Sequence, residues 1–287
     1  MVNESKCITR WVQGLSSQGF HRMAYYQRQS TTNGRMVVCA HGLTRTGRDF
    51  DLLADAFLKE GWSTVCPDVV GRGRSDWLSD PSNYDMAQYL SDMVALLARL
   101  DHSEVDWIGT SMGGLLGMLL AAQPGTPIRR LVLNDIGPFI SSQALGGIAE
   151  YLGHVGPWPD LVSVEQHLRR VHAGFGTLSD EQWRHLAEVS TRQGSDGQFY
   201  LHYDPAIAEP FAQSVAQDID LWDLWERIAC PTFVLRGAES TLLTPDTLTK
   251  MQTRGPSVTS MTIPQCGHAP SLMQAAQIQA IADWLRE

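Results

Sequence analysis

Short apolar runs of strand length recur along the chain, at 36–40 (MVVCA), 63–67 (STVCP), 105–108 (VDWI), 130–134 (RLVLN), 231–235 (PTFVL) and 257–263 (SVTSMTI). Stretches of helical period separate most of them, at 49–61, 84–100, 112–123 and finally 271–285. Within 84–100, Met86, Leu90, Met93, Leu97 and Leu100 recur at intervals of three and four, which predicts an amphipathic helix. Strand alternating with helix predicts an α/β fold, a mostly parallel, doubly wound sheet covered on both faces. Right-handed crossovers then gather the C-terminal strand ends along one edge, where sites in such folds form.

From 137 to 218 the rhythm fails. No buried strand is evident there, and the stretch is rich in aromatics, Tyr151, Trp158, Phe175, Trp183 and Phe211 among them. Connections inside α/β units are short. About 80 residues away from the sheet therefore predict a helical lid over 137–218, with 1–136 and 219–287 forming the core. No internal repeat or low-complexity tract interrupts this plan.

Composition narrows the function. The 287 residues are 43% apolar and 18% charged, enough for a large buried core. A formal net charge of −9, without any basic run, argues against nucleic acid or an anionic membrane as partner. The sequence MVNESKCITRW has no secretory-signal pattern, and the longest apolar stretch, near Leu115 to Ala122, is too short to span a bilayer. A cytoplasmic protein, monomer or homodimer, is expected. Five cysteines without framework spacing suggest neither a disulfide scaffold nor zinc; Cys39, Cys66 and Cys230 read as buried thiols.

The chemistry concentrates around GTSMG, 109–113, between the strand candidate VDWI and a helical run. Two readings fit a serine here: a helix cap in a close-packed turn, or a nucleophile. G-x-S-x-G in strand-turn-helix context favours the second. A sharp turn strains Ser111 and lifts its hydroxyl clear, so its neighbours must lack side chains. The helix start also supplies free N–H groups where negative charge develops. HGLTRTG, 41–47, follows an earlier strand and can present the Leu43 N–H, with that of Met112 as second donor of an oxyanion hole. His41, Gly42 and Arg45 of the same loop are candidate substrate contacts. Late in the chain, QCGHAP places His268 between the last strand and the terminal helix, the slot of a general base in the order Ser, acid, His.

GTSMGG, HGLTRTG, PDVVGRGRSD (67–76) and QCGHAP together resemble the α/β-hydrolase superfamily, in its lid-containing, esterase-like branch. The likeness runs from about residue 20 onward. It implies a serine nucleophile, a lid inserted after the sixth strand, and a triad acid after the strand PTFVL. There this sequence reads RGAESTLL, with Thr241 where an aspartate is usual. Two replacements offer themselves. Glu239 lies in that loop, and Asp135 follows the preceding strand, where some members, haloalkane dehalogenases among them, carry their acid. Asp135 is the preferred reading and Glu239 the alternative. The resemblance also makes PDVVGRGRSD a wall of the active-site entrance, with Arg72 and Arg74 serving packing and charge.

No nicotinamide cofactor is expected, because Asp76 stands where G-x-G-x-x-G needs its third glycine. No metal is expected either. HLRRVH, 167–172, spaces its histidines by five, off any single helix face, and reads as a surface helix. The expected function is a serine hydrolase of small to medium carboxylic esters or lactones, needing no cofactor. The same triad also suits a carbon–carbon hydrolase of a ring-cleavage metabolite. The missing acid at Thr241 would suit a non-catalytic ligand-binding relative.

Overall fold

The computed structural model describes residues 7–32 and 34–287. Its main sheet has eight strands: β1 (Ile8–Ser16), β2 (Gly19–Arg28), β3 (Met36–Ala40), β4 (Ser63–Pro67), β5 (Val105–Thr110), β6 (Ile128–Asn134), β7 (Thr232–Gly237) and β8 (Val258–Ile263). Their order is β1-β2-β4-β3-β5-β6-β7-β8, with β3 to β8 parallel and the N-terminal pair antiparallel. The six strands expected from apolar runs are β3 to β8. Every residue of β3 and β4 is buried, as strands covered on both faces must be.

The hairpin of β1 and β2 is an addition to the sequence reading. β1 forms the sheet edge, and its residues mix exposed apolar side chains (Ile8, Trp11, Leu15) with polar ones. Such a strand leaves no continuous apolar run to detect.

Helices α1 (Asp51–Lys59) and α10 (Ala275–Arg286) help cover one face, where Leu53 and Phe57 join Ile281 and Leu285 in one apolar cluster. On the other face, α2 (Met86–Leu100) and α3 (Met112–Ala121) contribute Met93, Leu96, Leu115 and Leu116 to a larger cluster. Asp85 caps α2 by accepting the Gln88 N–H at 2.7 Å. The buried face of α2 differs from the expected stripe. It carries Tyr89, Asp92, Met93 and Leu96, while Met86, Leu90, Leu97 and Leu100 are only partly covered. Polar partners draw the helix round: Asp92 pairs with buried His21 at 2.9 Å, and Tyr89 takes an N–H from Arg72 at 2.9 Å.

Between β6 and β7 the chain forms α4 (Ser142–Ala149), α5 (Leu161–Val171), α6 (Asp180–Val189), α7 (Ala208–Ser214) and α8 (Trp222–Trp225). This segment leaves and returns through a short antiparallel ribbon, Phe139–Ile140 against Ile219–Asp220. It is tied to the loop after β4 by backbone bonds from Gly73 to His202 (2.7 Å) and from Asp204 to Gly71 (2.8 Å). α9 (Pro245–Met251) lies between β7 and β8.

Two readings need correcting. α5 is not a simple surface helix: Val164 and Leu168 are buried, and so is His172 at its C-terminal end. Cys39 and Cys66 are buried, but Cys230 is only partly covered. Among the described residues no helix is long and apolar enough to cross a membrane.

Candidate active site

The parallel register sets the site. Thr110, the last residue of β5, lies opposite Asn134, the last of β6, which in turn lies opposite Leu235 of β7. The residues that follow, Ser111 and Asp135, therefore emerge side by side at one sheet edge. His268 comes from the loop after β8 on the same edge.

Ser111 has φ 51° and ψ −115°, left-handed backbone that a side chain tolerates poorly. The turn closes so tightly that a Cβ at Gly109 would stand 2.2 Å from the Gly113 oxygen. A Cβ at Gly113 would stand 2.0 Å from the Ala40 oxygen. Both obstacles are backbone, so neither can step aside. The strain is held by bonds on either side: the Ser111 N–H donates to Asn134 O at 3.1 Å, and its carbonyl accepts from Gly114 and Leu115. Ser111 Oγ lies 2.9 Å from His268 Nε2.

The other ring nitrogen of His268, Nδ1, lies 2.7 Å from Asp135 Oδ2. Asp135 is fully buried. Its carboxylate also accepts the Gly237 N–H at 2.8 Å and the Ser240 hydroxyl at 2.5 Å. An acceptor-only carboxylate fixes the proton on Nδ1 and leaves Nε2 free to accept. Glu239 is exposed and forms no ion pair with His268; its backbone N–H binds Cys266 O at 2.8 Å, which turns this residue outward. Sequence reasoning missed Ser240. Its only signal was a small hydroxyl residue in RGAES, the loop where the usual acid is lacking.

The Met112 amide opens α3, where helix geometry provides no intrahelical acceptor. The Leu43 amide likewise has no acceptor among the described residues. Two neighbours hold the Leu43 loop. The Gly42 carbonyl, in the same peptide plane as the Leu43 N–H, accepts from His41 Nδ1 at 2.7 Å and from the Arg45 N–H at 3.1 Å. Arg72, fully buried, donates to Leu43 O at 2.8 Å and reaches Met112 Sδ at 3.7 Å. Arg72 thus grips both residues that carry the free amides, a role beyond packing.

His41 is not placed to contact a substrate, whereas Arg45 borders a small cavity that Ser111 and His268 also line. The His41 ring is buried, and its Nε2 accepts the Val69 N–H at 2.9 Å while Nδ1 serves Gly42, so neither nitrogen is free. The Arg45 guanidinium is buried and clasps Asp49 through two bonds of 2.7 and 2.8 Å, so its charge is already neutralised. Gly42 does border the nucleophile: a Cβ there would stand 3.8 Å from Ser111 Cβ.

Burial pushes the His41 pKa down from 6.5 to about 3. Below 6.5 the unfolded chain gains a proton that the fold refuses, so this ring lowers stability as pH falls from 6.5 towards 3. The loss approaches about 1.4 kcal/mol per pH unit. Urea denaturation of wild type and His41→Gln should show the gap between them narrowing from about pH 7 to about pH 5, since the variant lacks the titrating ring. Parallel curves would contradict a buried neutral His41.

The family model described as alpha/beta hydrolase fold matches residues 35–273, from β3 past His268. The chain belongs to the alpha/beta hydrolase fold family. Among its relatives, a 3-hydroxybutyrate-oligomer hydrolase of Cupriavidus necator is 47% identical over 276 residues, covering 93% of this chain and 94% of that protein. A 2-hydroxymuconate semialdehyde hydrolase of Pseudomonas putida is 22% identical, covering 76% and 75%. The crystal structure of an alpha/beta hydrolase from Novosphingobium aromaticivorans superposes with a TM-score of 0.88 at 36% identity, covering 99% of both chains.

In this alpha/beta hydrolase, two cavities meet at Ser111. The larger, of about 250 Å³, is walled mainly by apolar side chains, including Met112, Leu115, Ile136, Ile148 and Phe211. The smaller, of about 40 Å³, also touches His268 and includes Thr44, Tyr151 and His172.

Proposed function

We propose that the chain is a serine carboxylic-ester hydrolase acting on short 3-hydroxybutyrate oligomers through an acyl-enzyme. The observation that carries this reading is the unbroken line from Asp135 through His268 to Ser111, at 2.7 and 2.9 Å, beside two backbone amides for which the described residues supply no acceptor. In the reaction the Ser111 hydroxyl oxygen attacks the ester carbonyl while its proton passes to His268 Nε2. Asp135 holds the Nδ1–H and stabilises the imidazolium. The Leu43 and Met112 amides receive the oxyanion, each worth roughly 3 kcal/mol to the transition state. His268 then protonates the leaving alkoxide, and the carbon–oxygen ester bond breaks. Water, deprotonated by the same ring, frees the acid and restores Ser111.

The substrate class comes from the 47% identical relative, and the apolar cavity beside Ser111 suits short, methyl-bearing chains. A carbon–carbon hydrolase needs groups that grip a dienolate, and a cavity with mainly apolar walls favours the ester. The segment 137–218 acts as a lid in this reading, since Ile140, Ile148 and Phe211 roof the cavity.

Linear 3-hydroxybutyrate dimer, followed by chromatography, should be split to monomer. An intact dimer alongside turnover of p-nitrophenyl butyrate would remove the oligomer assignment and leave the ester one. Failure on both would remove the ester reading.

A further inference from the structure

The smaller cavity contains two polar side chains for which the proposed reaction has no use. His172 is only 8% exposed, its ring stacked on Phe175 at 4.5 Å and edge-on to Tyr151 at 6.2 Å. Among the described residues, neither the His172 ring nitrogens nor the Tyr151 hydroxyl has a hydrogen-bond partner, although both residues line the cavity with Ser111 and His268. Burial holds the His172 pKa well below the ordinary imidazole value and pushes that of Tyr151 up to about 12, so both are neutral near pH 7. The nearest cation in the wall, Arg45, is already bound to Asp49.

Tyr151 is half-buried, and a substrate group that enters the cavity can hydrogen-bond to both side chains. The cavity, at about 40 Å³, exceeds the roughly 10–15 Å³ that one water needs. It has room for a hydroxyl, while the neighbouring cavity of about 250 Å³ is the roomier place for a chain. A carboxylate is disfavoured, because the charge of Arg45 is already balanced by Asp49 and burying a further anion is expensive. Ser111 and Ile148 border both cavities, so an acyl group held at the nucleophile can place its chain in the larger one and a nearby substituent in the smaller.

We propose that this cavity is a subsite for the free hydroxyl of a 3-hydroxyacyl ester, bound by His172 and Tyr151; the inference rests on the ester-hydrolase reading above. In such an acyl group the hydroxyl stands three bonds from the carbonyl carbon, close enough to turn from Ser111 into the subsite. In an oligomer, only the hydroxyl-terminal unit carries a free hydroxyl, so that unit is the acyl group transferred to Ser111.

The test compares kcat/KM for p-nitrophenyl 3-hydroxybutyrate, p-nitrophenyl butyrate and p-nitrophenyl hemisuccinate in wild type, Tyr151→Phe and His172→Phe. One or two added hydrogen bonds predict that wild type prefers the hydroxylated ester over butyrate by about tenfold. Each variant should bring that ratio towards one. Because the readout is a ratio within one preparation, partial misfolding cancels. A wild-type ratio near one, a ratio retained in both variants, or a preference for the hemisuccinate would overturn the subsite. Wild type inactive on all three esters would instead overturn the ester reading, and the subsite with it.

Discussion

Ser111→Ala should abolish ester turnover, with kcat falling on the order of a millionfold, the scale seen when a triad nucleophile is removed. The variant should fold normally. The Ser111 side chain makes one hydrogen bond, to His268, and the turn is held by backbone contacts that alanine keeps. Alanine is no worse than serine at φ 51°. Unchanged circular dichroism with lost turnover of p-nitrophenyl butyrate is therefore the expected pair of results. Turnover persisting within about tenfold of wild type would remove Ser111 from the chemistry.

The second large effect concerns the acid. Asp135→Asn should lower kcat by about ten-thousandfold, with the fold retained. An amide facing His268 can donate to Nδ1, which shifts the ring proton to Nε2 and disables the base towards Ser111. Part of the loss has a second source. The Gly237 N–H and the Ser240 hydroxyl both donate to this carboxylate, and an amide can satisfy only some of its donors. Glu239→Gln, in contrast, should leave kcat within about twofold, because an exposed side chain without a bond to His268 has little leverage. Equal losses in the two variants, measured as kcat on one ester, would contradict the geometry.

These two residues also show what the sequence could and could not settle. The turn at Ser111 was legible because it is local. Glycines at 109 and 113 answer a steric demand made within a few residues and one neighbouring strand, and the resulting pattern survives as a short motif. The parallel sheet was legible for a similar reason: buried strands such as β3 and β4 write unbroken apolar runs.

The acid was not decided locally. Asp135 and Glu239 both follow strands at the same sheet edge, and the preference for Asp135 rested on the resemblance and not on either stretch itself. What separates them is the Ser240 hydroxyl, 105 residues beyond Asp135, together with the Gly237 amide and the ring of His268. Packing partners also shifted smaller readings. Arg45 borders the site but is clasped by Asp49, four residues on, and His41 looked available until Val69 and Gly42 took its two nitrogens. His172 reads as part of a polar, arginine-rich helix, and only packing against Phe175 and Tyr151 carries it into the site. The edge strand β1 escaped because an edge strand need not be apolar throughout.

The proposed mechanism rests on a covalent intermediate at one residue. The most direct test is rapid-quench mass spectrometry of the enzyme during turnover of p-nitrophenyl butyrate, with the modified peptide sequenced. The account predicts a butyryl group on Ser111 and none in the Ser111→Ala variant. Turnover without any acyl adduct, or an adduct on another residue, would contradict it.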